Sequence, residues 1–194
     1  MADRPDGYVT DIGYTHGYYP ELNPVRMRLA LLNAGFAVPE ISTACELGFG
    51  QGLSINVHAA ASGTHWYGTD FNAAHVAFAR QLSAASGADI DLSEDSFEAF
   101  VSRTDLPPFD LIGLHGVWSW VSDRNRAVIV DFIRRKLKPG GVLYVGYNTL
   151  PGRAAFAPVR HLLAEHVNRA GSASRGIVER IDDGVATPWR YRDR

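Results

Sequence analysis

One cysteine, Cys45, stands in 194 residues, so the chain can form no internal disulfide and no cysteine-built metal site. Cys45 falls in an apolar stretch read as a buried strand, where a free thiol behaves as a small hydrophobe. Histidine does not supply a metal site instead. His16, His58, His65, His75, His115, His161 and His166 show no ligand-like spacing, and no metal is expected. A charge excess of one sign is missing too. Lysine plus arginine number 19 against 21 acidic residues, which gives no bulk attraction to nucleic acid or to a membrane surface. The basic run RRKLK at 134–138 falls in the last turn of a predicted helix, where it complements the helix dipole. No apolar run approaches the roughly 20 residues needed to cross a bilayer. The segment MADRPDGYVT has no signal-peptide pattern, and a cytoplasmic location is expected. There is no internal repeat and no long low-complexity stretch.

What is present is an alternation. Asn23-Pro24 opens a helix that Gly35 stops, with the proline in the first turn. ISTACEL (41–47) is a short apolar strand, SINVHAAASG (54–63) a helix, HWYGTD (65–70) a second strand and AAHVAFARQLSAASG (73–87) a second crossover helix. ADIDLSED (88–95) is a weaker third strand and SFEAFVSR (96–103) a short helix. FDLIGLHG (109–116) is a fourth strand, followed by a helix over 123–137 capped by Ser122 or Asp123. KPGG (138–141) is read as a turn into a fifth strand, VLYVGYN (142–148), and residues 152–171 as a last helix kinked at Pro158. Strands alternating with helices predict an α/β fold. Its sheet is doubly wound and mostly parallel, in the Rossmann-like manner, with helices on both faces.

The stretch ELGFGQG sets Gly48, Gly50 and Gly52 at the carboxyl end of the first strand, where doubly wound sheets bind ligands. Glycine there lets the backbone turn sharply and approach a ligand closely. A dinucleotide fingerprint places its third glycine one residue later, at the position Leu53 occupies. The loop therefore suits a ligand without a pyrophosphate. Asp70 ends the second strand about 20 residues on, placed to accept hydrogen bonds from ribose hydroxyls. A nucleoside cofactor that is not a dinucleotide fits both features, and S-adenosylmethionine (SAM) is such a molecule.

Together ELGFGQG, GTDFN, EDSF, FDLIGLHG and LKPGGVLYVGYN resemble the class I SAM-dependent methyltransferases across roughly residues 10–165. YTHGYYPELNP, HGVWSWV and YNTLPG are similar to a bacterial group in which this domain accompanies a methyltransferase regulatory domain, a group that includes rickettsial protein-lysine methyltransferases. The resemblance implies SAM as cofactor. It implies methyl transfer to an amine or hydroxyl acceptor, a protein side chain among the options. It places Glu46, Gly48, Gly50 and Gly52 beside the methionine part, and Asp70, Phe71 and Asn72 beside the ribose and adenosine. Asp95 and Ser96 fall at the adenine edge, with Phe97 against the ring; Asp95-Ser96 also reads as an ordinary helix cap, and the two roles can coexist.

His115 lies where the family places groups between cofactor and acceptor, either as a base or as part of the cofactor shell. Trp118 and Trp120 follow it as candidates to wall the transfer zone. The N-terminal GYTHGYYP brings Tyr14, His16, Tyr18 and Tyr19. It reads as a lid over the cofactor or as a loop packed on the sheet edge. Tyr14 and His16 are candidate cofactor contacts, and Tyr19 joins His115 as a candidate catalytic group. The expected organisation is a lid-like segment over 1–23, a SAM-binding domain over 24–170 and a linker or disordered tail over 171–194. The final β-hairpin of the family is not evident. A longer parent protein with a C-terminal regulatory domain, a covering partner, or misread strands in the tail would each explain it. Two rival readings are a dinucleotide-dependent dehydrogenase, disfavoured by Leu53, and a SAM-binding module without catalysis; a small-molecule or glycan O-methyltransferase is a third.

Overall fold

The computed structural model describes residues 13–170 and 176–190. Five strands form one parallel sheet in the order β3-β2-β1-β4-β5: β1 Thr43–Leu47, β2 His65–Thr69, β3 Ile90–Ser93, β4 Phe109–His115 and β5 Leu137–Gly146. The first three strands step one way and the last two the other, so the switch point lies between β1 and β4, which pair at Ala44–Leu111 and Glu46–Gly113.

Helices cover both faces because alternate strand residues must be buried on opposite sides. On one face, Ala44, Trp66, Leu92 and Leu111 pack with Met27 of α1 (Pro24–Asn33), Ile55 and Ala59 of α2 (Leu53–Ala60), and Val76 and Ala79 of α3 (Ala73–Ser86). On the other, Cys45, Leu47, Phe109, Ile112 and Leu114 meet Phe97 and Phe100 of α4 (Phe97–Ser102) and Ile129 and Phe132 of α5 (Asp123–Lys136). Four helix starts are fixed locally. The side chains of Asn23, Asn72, Ser96 and Ser122 accept backbone N–H groups of the first turns of α1, α3, α4 and α5. The layer architecture is the doubly wound α/β fold the alternation predicts.

Three local expectations are corrected. KPGG does not separate a helix from a strand. β5 begins at Leu137, opposite Phe109, and resumes with Val142 opposite Leu111, so Lys138–Gly141 is absorbed as a bulge with Gly140 at φ +79°. Pro158 does not kink a helix, because α6 (Ala157–Ala170) starts just before it and a first-turn proline costs no hydrogen bond. The supposed tail contains α7 (Ile177–Arg190), built on apolar residues four apart at 177, 181 and 185. The chain divides between Tyr147 and Asn148 into two compact units, where the sequence reading placed its boundaries at 23/24 and 170/171. The sheet and α1–α5 belong to the first unit; α6 and α7 pack on each other in the second. Among the described residues no strand follows β5, and no helix is long and apolar enough to cross a membrane.

Candidate functional site

The carboxyl ends of β1, β2, β3 and β4 open onto a cavity of about 330 Å³. The loop after β1 forms its floor. Gly48 and Gly50 hold φ of +74° and +58°, a region that side chains strain to enter. A Cβ at Gly48 would come within 2.6 Å of Val117, and one at Gly50 within 3.1 Å of the Tyr14 ring. Both glycines line the cavity. Gly52 does not; it stands at the start of α2 with φ +71°, where a Cβ would lie 2.5 Å from that of Ala79. Its smallness lets α2 begin against α3.

Two carboxylates are buried near this floor: Asp70, which lines the cavity, and Glu46, which does not. Asp70 follows β2 and is 7% exposed. One of its oxygens accepts the Gly50 N–H at 2.9 Å, and the other accepts the Asn72 N–H at 3.0 Å and the His75 Nδ1–H at 3.1 Å. Burial raises its pKa, while the Asn72, His75 and Gly50 donors oppose the rise. Glu46, on β1, is 2% exposed, and its Oε2 is buried without a partner. Burial, then the Asp70 charge, push its carboxyl from 4.5 to about 8. A buried carboxyl oxygen without a partner is one that a ligand donor would satisfy.

At the third wall, Asp95 follows β3. Its side chain accepts the Ser93 hydroxyl at 2.6 Å, and its carbonyl accepts that of Thr69 at 2.7 Å. Asp95, Phe71 and Phe97 line the cavity. Ser96 and Asn72 serve instead as caps of α4 and α3. The fourth wall holds His115 and Gly116 from β4, then Val117, Trp120 and Val121. Trp120 is 59% exposed, whereas Trp118 lies beneath the Arg126 guanidinium.

Tyr14 closes the cavity from the N-terminal segment. Burial, then Tyr19, raise the pKa of its phenol. Tyr19 stacks on His115, ring centroids 4.0 Å apart, and the Tyr144 ring lies parallel to that imidazole with its centroid 6.2 Å away. Burial lowers the His115 pKa against a small pull from Glu21, so the ring is neutral at pH 7. The segment is tied to α2: Ser54 Oγ accepts the Tyr19 N–H and donates to the Gly17 carbonyl, and His58 Nε2 bonds the Tyr19 carbonyl at 3.2 Å. His16 sits outside the cavity lining, edge-on to Phe78.

The sequence reading missed His75, Gly116, Val117 and Val121 in the lining. His75 was readable in principle, because a cap at Asn72 puts residue 75 in the first helical turn beside the end of β2. SAM fits this site by its acceptors and walls: the Asp70 carboxylate for a diol and apolar side chains for a flat ring, with the unpaired Glu46 acid buried outside the lining.

Comparison with known proteins gives the following. Residues 44–141 match the model of the methyltransferase domain family. The chain is 40% identical over 185 residues to the uncharacterized protein sll1526 of Synechocystis, covering 93% of this chain and 36% of that protein. It is 29% identical over 163 residues to the uncharacterized protein RP789 of Rickettsia prowazekii, covering 80% of this chain and 29% of that one. It thus spans about a third of the length of these curated relatives. PKMT2 from Rickettsia typhi, solved with AdoHcy, superposes with a TM-score of 0.70 at 21% identity, over 87% of this chain and 33% of that one. A SAM-dependent methyltransferase from Thiobacillus denitrificans, in complex with S-adenosyl-L-homocysteine, superposes with a TM-score of 0.51 at 20% identity, over 78% and 58% of the two chains. Those two likenesses are of fold.

Proposed function

We infer the activity from the family: the chain belongs to the methyltransferase domain family, whose members depend on SAM. We propose that its cavity binds SAM and delivers the methyl group to an amine, a protein side chain among the candidates. The observation that carries the cofactor placement is the pair of buried carboxylates, Glu46 with an unpaired oxygen and Asp70 held by three donors. In this reading Glu46 receives the ammonium of the methionine part and Asp70 the ribose hydroxyls. Gly48 and Gly50 allow close approach, Asp95 accepts from the adenine amino group, and Phe97 and Phe71 flank the ring. The AdoHcy bound by Rickettsia typhi PKMT2 supports the same ligand here.

Bound SAM supplies an activated methyl, whose transfer to nitrogen leaves a neutral thioether. The protein's task is alignment and exclusion of water. Tyr14 and His115 form the end of the cavity left for the acceptor; Tyr19 stands outside the lining, stacked on His115. No carboxylate lines that end, so an alcohol would find no strong base there. An amine that arrives neutral needs only orientation and an outlet for one proton, and a neutral His115 imidazole supplies the outlet. Tyr19, stacked on that ring, holds its plane.

The test incubates the full protein with methyl-labelled SAM and polylysine, followed by mass spectrometry. N-methyl-lysine should form, and His115→Ala should slow the transfer about tenfold to a hundredfold while SAM affinity changes little. Binding of SAM without transfer to any amine or hydroxyl would establish the noncatalytic alternative.

A further inference from the structure

Asp70 could have met the cavity as a loosely held carboxylate. It does not. The Gly50 and Asn72 amides each bind one of its oxygens, at 2.9 and 3.0 Å. The remaining donor is the only side chain of the set: Nδ1 of His75, 3.1 Å from the oxygen that Asn72 also holds. An ionised carboxylate can only accept, so Nδ1 carries the proton in this contact. His75 is 8% exposed and its ring forms part of the cavity wall, tilted against Tyr14 at 6.2 Å. The ring is fixed from below. Asn72 caps α3, accepting the Ala74 and His75 N–H groups, and so sets the rotation of the first turn. The backbone of His75 therefore answers to the same loop that carries Asp70.

We propose that His75 is a positioning residue for the nucleoside: it locks the plane of the Asp70 carboxylate, so that the acceptor sites left open face the cofactor's ribose. This rests on the reading of Asp70 as the ribose acceptor. The two backbone amides fix one site on each oxygen, and His75 takes a second site on the oxygen that Asn72 holds. A third donor on a rigid imidazole narrows the carboxylate's remaining motion before the ligand arrives, so the ordering cost is met during folding. Burial raises the Asp70 pKa, and the His75 contact is one of the donors that oppose the rise. A ribose hydroxyl bonds a carboxylate more strongly than a neutral acid.

The experiment compares two ligands on the full protein by calorimetry: S-adenosylhomocysteine and its counterpart lacking both ribose hydroxyls. His75→Ala should weaken S-adenosylhomocysteine about tenfold and leave the dideoxy ligand within about twofold of wild type, so the advantage conferred by the hydroxyls shrinks. His75→Asn places an amide N–H close to where Nδ1 stood and should recover most of the affinity. His75→Phe keeps a ring without a donor and should behave like alanine, which preserves the comparison if alanine does not fold. Unchanged affinity for S-adenosylhomocysteine would overturn the proposal. So would equal losses for both ligands, because a merely structural histidine disturbs the whole cavity alike. Failure of the wild-type protein to bind S-adenosylhomocysteine would overturn the reading of Asp70 itself, and this proposal with it. Binding of both ligands equally well by wild type would show that Asp70 does not hold the ribose.

Discussion

Glu46 is the residue whose chemistry is most exposed to measurement. Burial, then the Asp70 charge, hold its carboxyl near 8 instead of 4.5. A folded value above the unfolded one means that the folded protein carries the extra proton across that interval. Its contribution to stability is therefore full at low pH and declines as pH rises, by roughly 1.4 kcal/mol for each unit. Glu46→Gln keeps the shape and cannot ionise. Urea unfolding at a series of pH values should show the variant gaining on wild type between about pH 5 and 8. A ligand ammonium reverses the sign, because it favours the carboxylate. SAM affinity measured by calorimetry should rise over the same interval in wild type and stay flat, and weaker, in the glutamine variant. Parallel pH profiles for the two proteins would remove Glu46 from the methionine end of the cavity.

At the scale of elements, one carboxylate ties three strands together far from the cavity. Asp110 on β4 accepts the N–H and hydroxyl of both Ser42 and Thr43 at the start of β1, and the Lys138 ammonium from β5 at 2.8 Å. Burial works against its ionisation, but Lys138, the Thr43 N–H and the two hydroxyls outweigh it and hold the carboxyl well below the usual range. A depressed folded value gives stability that is present above the ordinary aspartate range and lost only in strong acid. Asp110→Ala should cost on the order of 2–3 kcal/mol at neutral pH, since the donors lose their acceptor. The gap should close in acid, and SAM affinity per folded molecule should hold. A melting temperature equal to wild type would deny the network its structural role.

The elements also show how far the sequence could be read. The strands ending in Glu46-Leu47, Thr69 and His115 were legible because each is a short apolar run followed by glycine or an acid at a ligand-binding edge. The places where reading faltered are those where tertiary contact decides. Gly140 looks like a turn residue, yet pairing with β4 on either side makes it a bulge in β5. Gly184 and Pro188 disguise α7. Spacing and the family resemblance group Gly52 with the ligand glycines, but its missing Cβ makes room for Ala79. The Asn72 cap makes His75 a first-turn residue beside the end of β2, but the string DFNAAH does not say that its ring turns toward Asp70.

At the scale of the whole molecule, the cavity and the sheet that forms it belong to the first compact unit. The sheet puts four loops from four strand ends around one space, and that convergence, not any single motif, makes the site. The acceptor is the least constrained element, since the chain spans about a third of its curated relatives. The central claim is that this cavity is a SAM site organised on Asp70, and calorimetric titration of SAM into the protein and its Asp70→Ala variant tests it most directly. The account expects one SAM per chain in wild type. It expects at least about a tenfold loss of affinity in the variant, with the same circular dichroism. Absence of SAM binding to wild type, or equal affinity for the two proteins, would contradict it.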